Sequence, residues 1–78
     1  MNETERELVE RIINAKKAFD AYQIMSEVFS KIGENQLDKE EAELIYKLAD
    51  EKEQMLSKQE YTVRTLENAI HAITDVKY

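Results

Sequence analysis

Glu67, His71 and Asp75 stand four residues apart, so on a helix they share one line and make half of a carboxylate–imidazole metal site. Their spacing is not the Glu-x-x-His of di-iron bundles, and in the seven-residue frame set out below they point away from the apolar seam. The reading is therefore a solvated face carrying a helix-supporting Glu/His pair. His71 is the single histidine of the chain and there is no cysteine, so nucleophilic and zinc-dependent catalysis lack their usual parts. No catalytic residue, metal ligand or cofactor site is assigned, and the expectation is a protein that is not an enzyme.

Charge is the next candidate for chemistry. The 78 residues carry a formal net charge of −6. Residues 34–60 hold nine acids and four bases, and so account for all but one of those charges. Within that third, Glu40, Glu41, Glu43, Asp50, Glu51 and Glu53 form an acidic set suited to a basic protein surface, whereas nucleic acid and anionic lipid are repelled. Neither a Walker motif nor a helix-turn-helix signature nor a basic DNA-reading helix is present.

These residues must be positioned by helices. Proline is absent and there is one glycine, a composition that favours long uninterrupted helices with few turns. The organising stretch runs from Asp38 to about Val76. With Ala42 opening a seven-residue repeat, that position returns Ala42, Ala49, Leu56, Val63 and Ile70. Three residues further on come Ile45, Lys52, Gln59, Leu66 and Ile73, and a side stripe of Leu48, Met55, Thr62, Ala69 and Val76 widens the seam to a core-facing helix face. Lys52 and Gln59 interrupt it, with Ser26 facing them, and read as a polar layer that sets register or as a lysine reaching to the rim.

Asp38-Lys39-Glu40-Glu41 is a capping box, and Leu37 is placed to staple onto Ala42. Upstream, Thr4-Glu5-Arg6-Glu7 is another, with Asn2 and Glu5 an equal candidate. From there apolar residues recur at Leu8, Ile12, Ala15, Phe19, Tyr22 and Phe29. A second stripe of Ala18, Ala21, Ile24, Met25, Val28 and Ile32 joins from residue 18 onward. Gly33 is the expected left-handed stop. Exposed faces carry opposite charges four apart at Arg6/Glu10, Glu7/Arg11, Lys16/Asp20, Glu27/Lys31, Glu43/Lys47, Lys47/Glu51 and Glu60/Arg64.

The fold expected is all-α: an antiparallel helical hairpin of two long helices, about residues 4–32 and 38–76, in a single small domain over 1–78. The alternative is a three-helix bundle with a break near Ser57, where Ser57-Lys58-Gln59-Glu60 offers a third capping box. The hairpin pairs Thr4 with Leu66 and leaves residues past about 67 without a partner, among them Ile70, Ile73 and Val76. It also opens a groove over Ile24, Met25, Val28 and Ile32. Both surfaces point to a C2 homodimer closing a four-helix bundle. Tyr46 and Tyr78 are expected to be exposed. No run approaches a membrane span and the start does not have the order of a signal peptide, so a soluble, cytoplasmic chain is expected.

The functional expectation is a protein-binding module, a small regulator or inhibitor acting on an unidentified protein partner. Two alternatives stand beside it: a structural subunit of a larger assembly, and an acidic DNA mimic that inhibits a nucleic-acid-binding protein.

Overall fold

A computed structural model describes residues 2–74. Within them the chain forms three helices and no strand: α1 (Glu3–Asn14), α2 (Ala18–Gly33) and α3 (Lys39–Thr74). The all-α expectation holds, and the helices divide the chain differently from the hairpin.

Local chemistry sets most of the helix ends. Asp38 Oδ1 accepts the Glu41 N–H at 2.8 Å and Glu41 Oε1 accepts the Asp38 N–H at 3.1 Å, a complete capping box that starts α3. Leu37 and Ala42 are both buried in the same apolar cluster, as a staple requires. Of the two candidate starts for α1, Asn2 is the cap, its Oδ1 accepting the Glu5 N–H at 2.7 Å. Thr4 lies inside the helix, where its hydroxyl meets Gln36 Oε1 at 3.4 Å. The end of α2 departs from expectation. Gly33 stays helical, and Asn35 takes the left-handed conformation at φ 60°. The Asn35 N–H donates to Ile32 O and the Gln36 N–H to Lys31 O, at 3.0 and 2.9 Å, which closes a Schellman motif with asparagine at its left-handed position.

The first long helix does not exist as one piece. At Ala15 the backbone turns extended (ψ 129°), and Lys17 is extended again (ψ 146°), which separates α1 from α2. By contrast α3 runs unbroken through Ser57. The third helix therefore comes from a break at residues 15–17, and the capping box at Ser57 is not used as a start.

Because of that break α1 folds back on α2. Arg11 of α1 meets Glu27 of α2, with Nη1–Oε1 at 2.9 Å, so the two run antiparallel. Asn2 Nδ2 donates to Glu41 Oε2 at 3.1 Å and Lys52 Nζ donates to Ile13 O at 3.1 Å, so α1 lies parallel to α3. Thr4 thus sits at the base of the bundle near Gln36, and the expected Thr4–Leu66 register is not formed.

One core cluster joins Leu8 and Ile12 of α1 to Ile24 and Val28 of α2 and to Ile45 and Ala49 of α3. A smaller one gathers Ala15, Ala18 and Ala21 around Leu56. Burying Leu8 and Ile12 is worth about 1.5–3 kcal/mol each, which offsets the few helical hydrogen bonds lost at the break, each about 0.5–1.5 kcal/mol.

Across the break the buried stripe shifts by one residue. Leu8, Ile12 and Ala15 are buried before it, then Ala18, Ala21, Ile24 and Val28, while Phe19, Tyr22 and Phe29 are left exposed. At 1.5 Å per residue α3 alone is about 54 Å long, most of the 64 Å length of the molecule, which is 17 × 15 Å in section.

Gly33 and Asn35 yield opposite predictions. A Cβ built on Gly33 meets nothing within 4 Å and its backbone is helical, so Gly33→Ala is expected to raise the urea midpoint by the equivalent of about 0.5–1 kcal/mol. Asn35→Ala is expected to lower it by about 1 kcal/mol, since alanine tolerates the left-handed region poorly. If the two changes act with the same sign, the helix does not end as described.

Candidate functional site

The break between α1 and α2 exposes a carbonyl end and an amide end side by side, and α3 supplies a side chain to each. Lys52 donates to the carbonyl of Ile13 in the last turn of α1. Glu60 accepts the N–H of Ala18, the first residue of α2, at 3.0 Å. The α2 cap residue Lys17 makes no side-chain cap of its own, so the Glu60 carboxylate takes that role at the positive end of the α2 dipole. The sequence reading of Lys52 as a seam residue with a structural task is consistent with this contact. In the sequence Glu60 reads as the last residue of the Ser57 capping box and as a partner for Arg64, and no sequence pattern shows that a helix start lies 42 residues upstream of its cap. Gln59 and Ser26 are exposed and form no shared layer with Lys52.

This clasp is also where cover ends. The apolar seam of α3 is buried at Ala42, Ile45, Ala49 and Leu56, and from Lys58 to Thr74 every residue is exposed. The repeat does not stop there. In unchanged phase it presents Val63, Leu66, Ile70 and Ile73, each 54–65% exposed. This uncovered length, Tyr61–Thr74, projects about 21 Å beyond the clasp, with Tyr61 exposed at its base. It begins about seven residues earlier than the hairpin register places it, because α1 folds back instead of extending along α3.

A second apolar surface lies near the α2–α3 loop. The Phe29 and Tyr46 rings meet edge to face, centroids 5.6 Å apart and planes at 65°. With Ile32 they wall a shallow groove of about 340 Å³ at the bundle base. Phe19 and Tyr22 continue the stripe along α2. Tyr46 is 37% exposed, and Tyr22 and Tyr61 are more open than it is.

The remaining expected site residues scatter. Ile24 and Val28 are fully buried and Met25 is packed against the core, so the groove expected over them is filled by α1. Ile32 stays partly exposed, Ile70 and Ile73 are open, and Val76, Asp75 and Tyr78 fall outside the described residues. The acidic set does not gather on one face. Glu43 borders the Phe29–Tyr46 groove, and Glu51 borders a different one with Ile13 and Met55. Glu41 is engaged as a cap, Asp50 accepts from Gln54 at 3.0 Å and Glu53 from Ser57 at 2.8 Å, while Glu40 is exposed. Glu67 and His71 sit on the projecting part of α3. Among the described residues no three His, Cys, Asp or Glu side chains are grouped closely enough to hold a metal.

Ion pairing joins two helices in one case and is local in the other. Among the described residues the pairs within 4 Å are Arg11–Glu27 and Lys31–Glu34, and none of the seven pairs four apart closes. The hydrogen bond from Arg11 holds the Glu27 carboxyl below its ordinary value and raises the guanidinium in turn. At the base of the bundle, partial loss of water and the adjoining Glu41 carboxylate push the Glu5 carboxyl above its ordinary value.

No family model, curated protein or solved structure matches the chain. Among the described residues no helix is long and apolar enough to cross a membrane.

Glu60→Ala is expected to cost about 0.5–2 kcal/mol, the loss of a helix cap, and Glu60→Gln less. Hydrogen exchange should rise at the first turn of α2 in the alanine variant and not in α3, whereas uniform acceleration would mean that Glu60 does not cap α2. For Arg11 and Glu27, a double-mutant cycle is expected to show a coupling of about 0.2–1 kcal/mol near neutral pH, as for other exposed pairs. Because the folded carboxyl is depressed, that coupling is present above the ordinary carboxylate value of 4.5 and disappears as the pH falls through the lower folded value. A coupling that grew on acidification would exclude the pair.

Proposed function

We propose that this chain is a non-enzymatic protein–protein interaction module, a small acidic helical regulator or inhibitor that binds through the uncovered seam of α3. The observation that supports the reading is the continuation of one apolar repeat, in phase, past the last residue of α3 that its own chain covers. Val63, Leu66, Ile70 and Ile73 lie more than half exposed on a helix whose first half uses the same stripe to build the core. A contiguous apolar stripe of this kind, rimmed by polar residues, marks an interaction site. The seam repeat defines the occupant's chemistry: a helix with its own apolar stripe. The net charge of −6 disfavours nucleic acid, and its surplus lies in residues 34–60, where it suits a basic protein surface on the body, while the seam itself carries one base, Arg64, and one acid, Glu67.

A photoreactive side chain at Leu66 tests this. In a lysate it is expected to become linked to a second polypeptide, whether another copy or a different protein, while the same group at Lys47 on the solvated face of α3 is not. Equal yields at the two positions, or none at Leu66, would remove the reading.

A further inference from the structure

The occupant can be named from the geometry of the seam, and the argument rests on the interaction reading above. We propose that it is a second copy of this chain, its α3 running antiparallel to the first, so that the two projecting segments cover each other.

Sterics select the direction. Up to Leu56 the seam of α3 is covered by α1 and α2. A parallel copy would bring its α3 alongside at the same heights and collide with them. An antiparallel copy overlaps only beyond Glu60, where the seam is free, and places the two three-helix bodies at opposite ends.

Register follows from the repeat. In an antiparallel pair the two seam positions face each other across the interface. One alignment sets Val63 against the second copy's Ile73 and Leu66 against its Ile70, and by twofold symmetry the reverse. That gives four layers, all apolar. Sliding by one heptad either way loses layers or brings Gln59 into the seam. The pairing is isologous and closes at two copies.

Charge agrees. Tyr61–Thr74 contains one base, Arg64, and one acid, Glu67, against a whole-chain charge of −6, so neutral segments meet and the acidic bodies stay several Debye lengths apart. The flank beside the axis is Ala69 facing its own copy, which allows close approach. On the opposite flank Glu67 faces its own copy, an unfavourable contact that gives the arrangement a signature. The exposed parts of eight seam side chains and their flanks amount to on the order of 1,000 Å², the lower limit for specific association. Anchoring of α3 in the body pre-forms the binding helix and reduces the ordering cost. Micromolar dimerisation is the expected strength.

Sedimentation equilibrium on the full chain is expected to show a monomer–dimer equilibrium, weakened at least tenfold by Ile70→Ser with Ile73→Ser and tightened several-fold by Glu67→Gln, which relieves the facing acids. Since the chain has no cysteine, single replacements report direction: on oxidation Ala69→Cys should form a disulfide-linked dimer and Val63→Cys should not. Circular dichroism of each variant should show an intact body, because none of these residues lies in the core. Closure through Val63→Cys in place of Ala69→Cys, or weakening by Glu67→Gln, would overturn the antiparallel pairing. A monomer at all concentrations would overturn the second copy as occupant, and a foreign protein linked at Leu66 would then show that the interaction reading survives without it.

Discussion

One apolar stripe, continuous in phase along a 36-residue helix, must be covered by helices of 12 and 16 residues. Laid end to end, those two would run along 28 of its 36 residues. Laid side by side, they cover only its first half but enclose it from two directions. The chain takes the second course because α2 is apolar on more of its circumference than one neighbour can shield. Ile24 and Val28 need α1 as well as α3, and in the folded molecule they have both.

From that arrangement the rest follows. Folding α1 back requires a break where no glycine or proline invites one, and the break leaves unpaired backbone groups at Ile13 and Ala18. Lys52 and Glu60 of α3 satisfy one of each, so the helix that receives the other two also stabilises the turn between them. The same break rotates α2 by one residue, turning Phe19, Tyr22 and Phe29 outward. It also ends the cover of α3 at the clasp, which creates the uncovered seam from Val63 to Ile73. The core and the candidate binding surface are thus two halves of one stripe, separated by where α1 turns.

Much of this was legible in the residues. The Asp38 box, the Leu37 staple, the cap at Asn2 and the continuity of α3 through Ser57 depend on neighbours within a few positions or on a repeat long enough to hold its phase. The break at residues 15–17 left a fainter trace, a hand-over from the stripe of Leu8, Ile12 and Ala15 to the stripe opening at Ala18. That hand-over read as one broad face because neither stripe contained a helix-breaking residue. The left-handed residue was misplaced for a related reason: glycine is the commoner choice, but asparagine also tolerates that conformation, and Gly33 is compatible with a helical one.

By itself the sequence determined the helical class, the capping box at Asp38 and the phase of one long apolar seam, since each is a matter of local hydrogen bonding and periodicity. Only the tertiary structure decided which stripe of the first helical region is buried, that Glu43 and Glu51 border different grooves, that Arg11 pairs with Glu27 and not Glu7, and where the uncovered seam begins. Those outcomes depend on the competition between keeping a few backbone hydrogen bonds and burying Leu8 and Ile12. Both sides of that balance are a few kcal/mol, and its result is set by the three helices together.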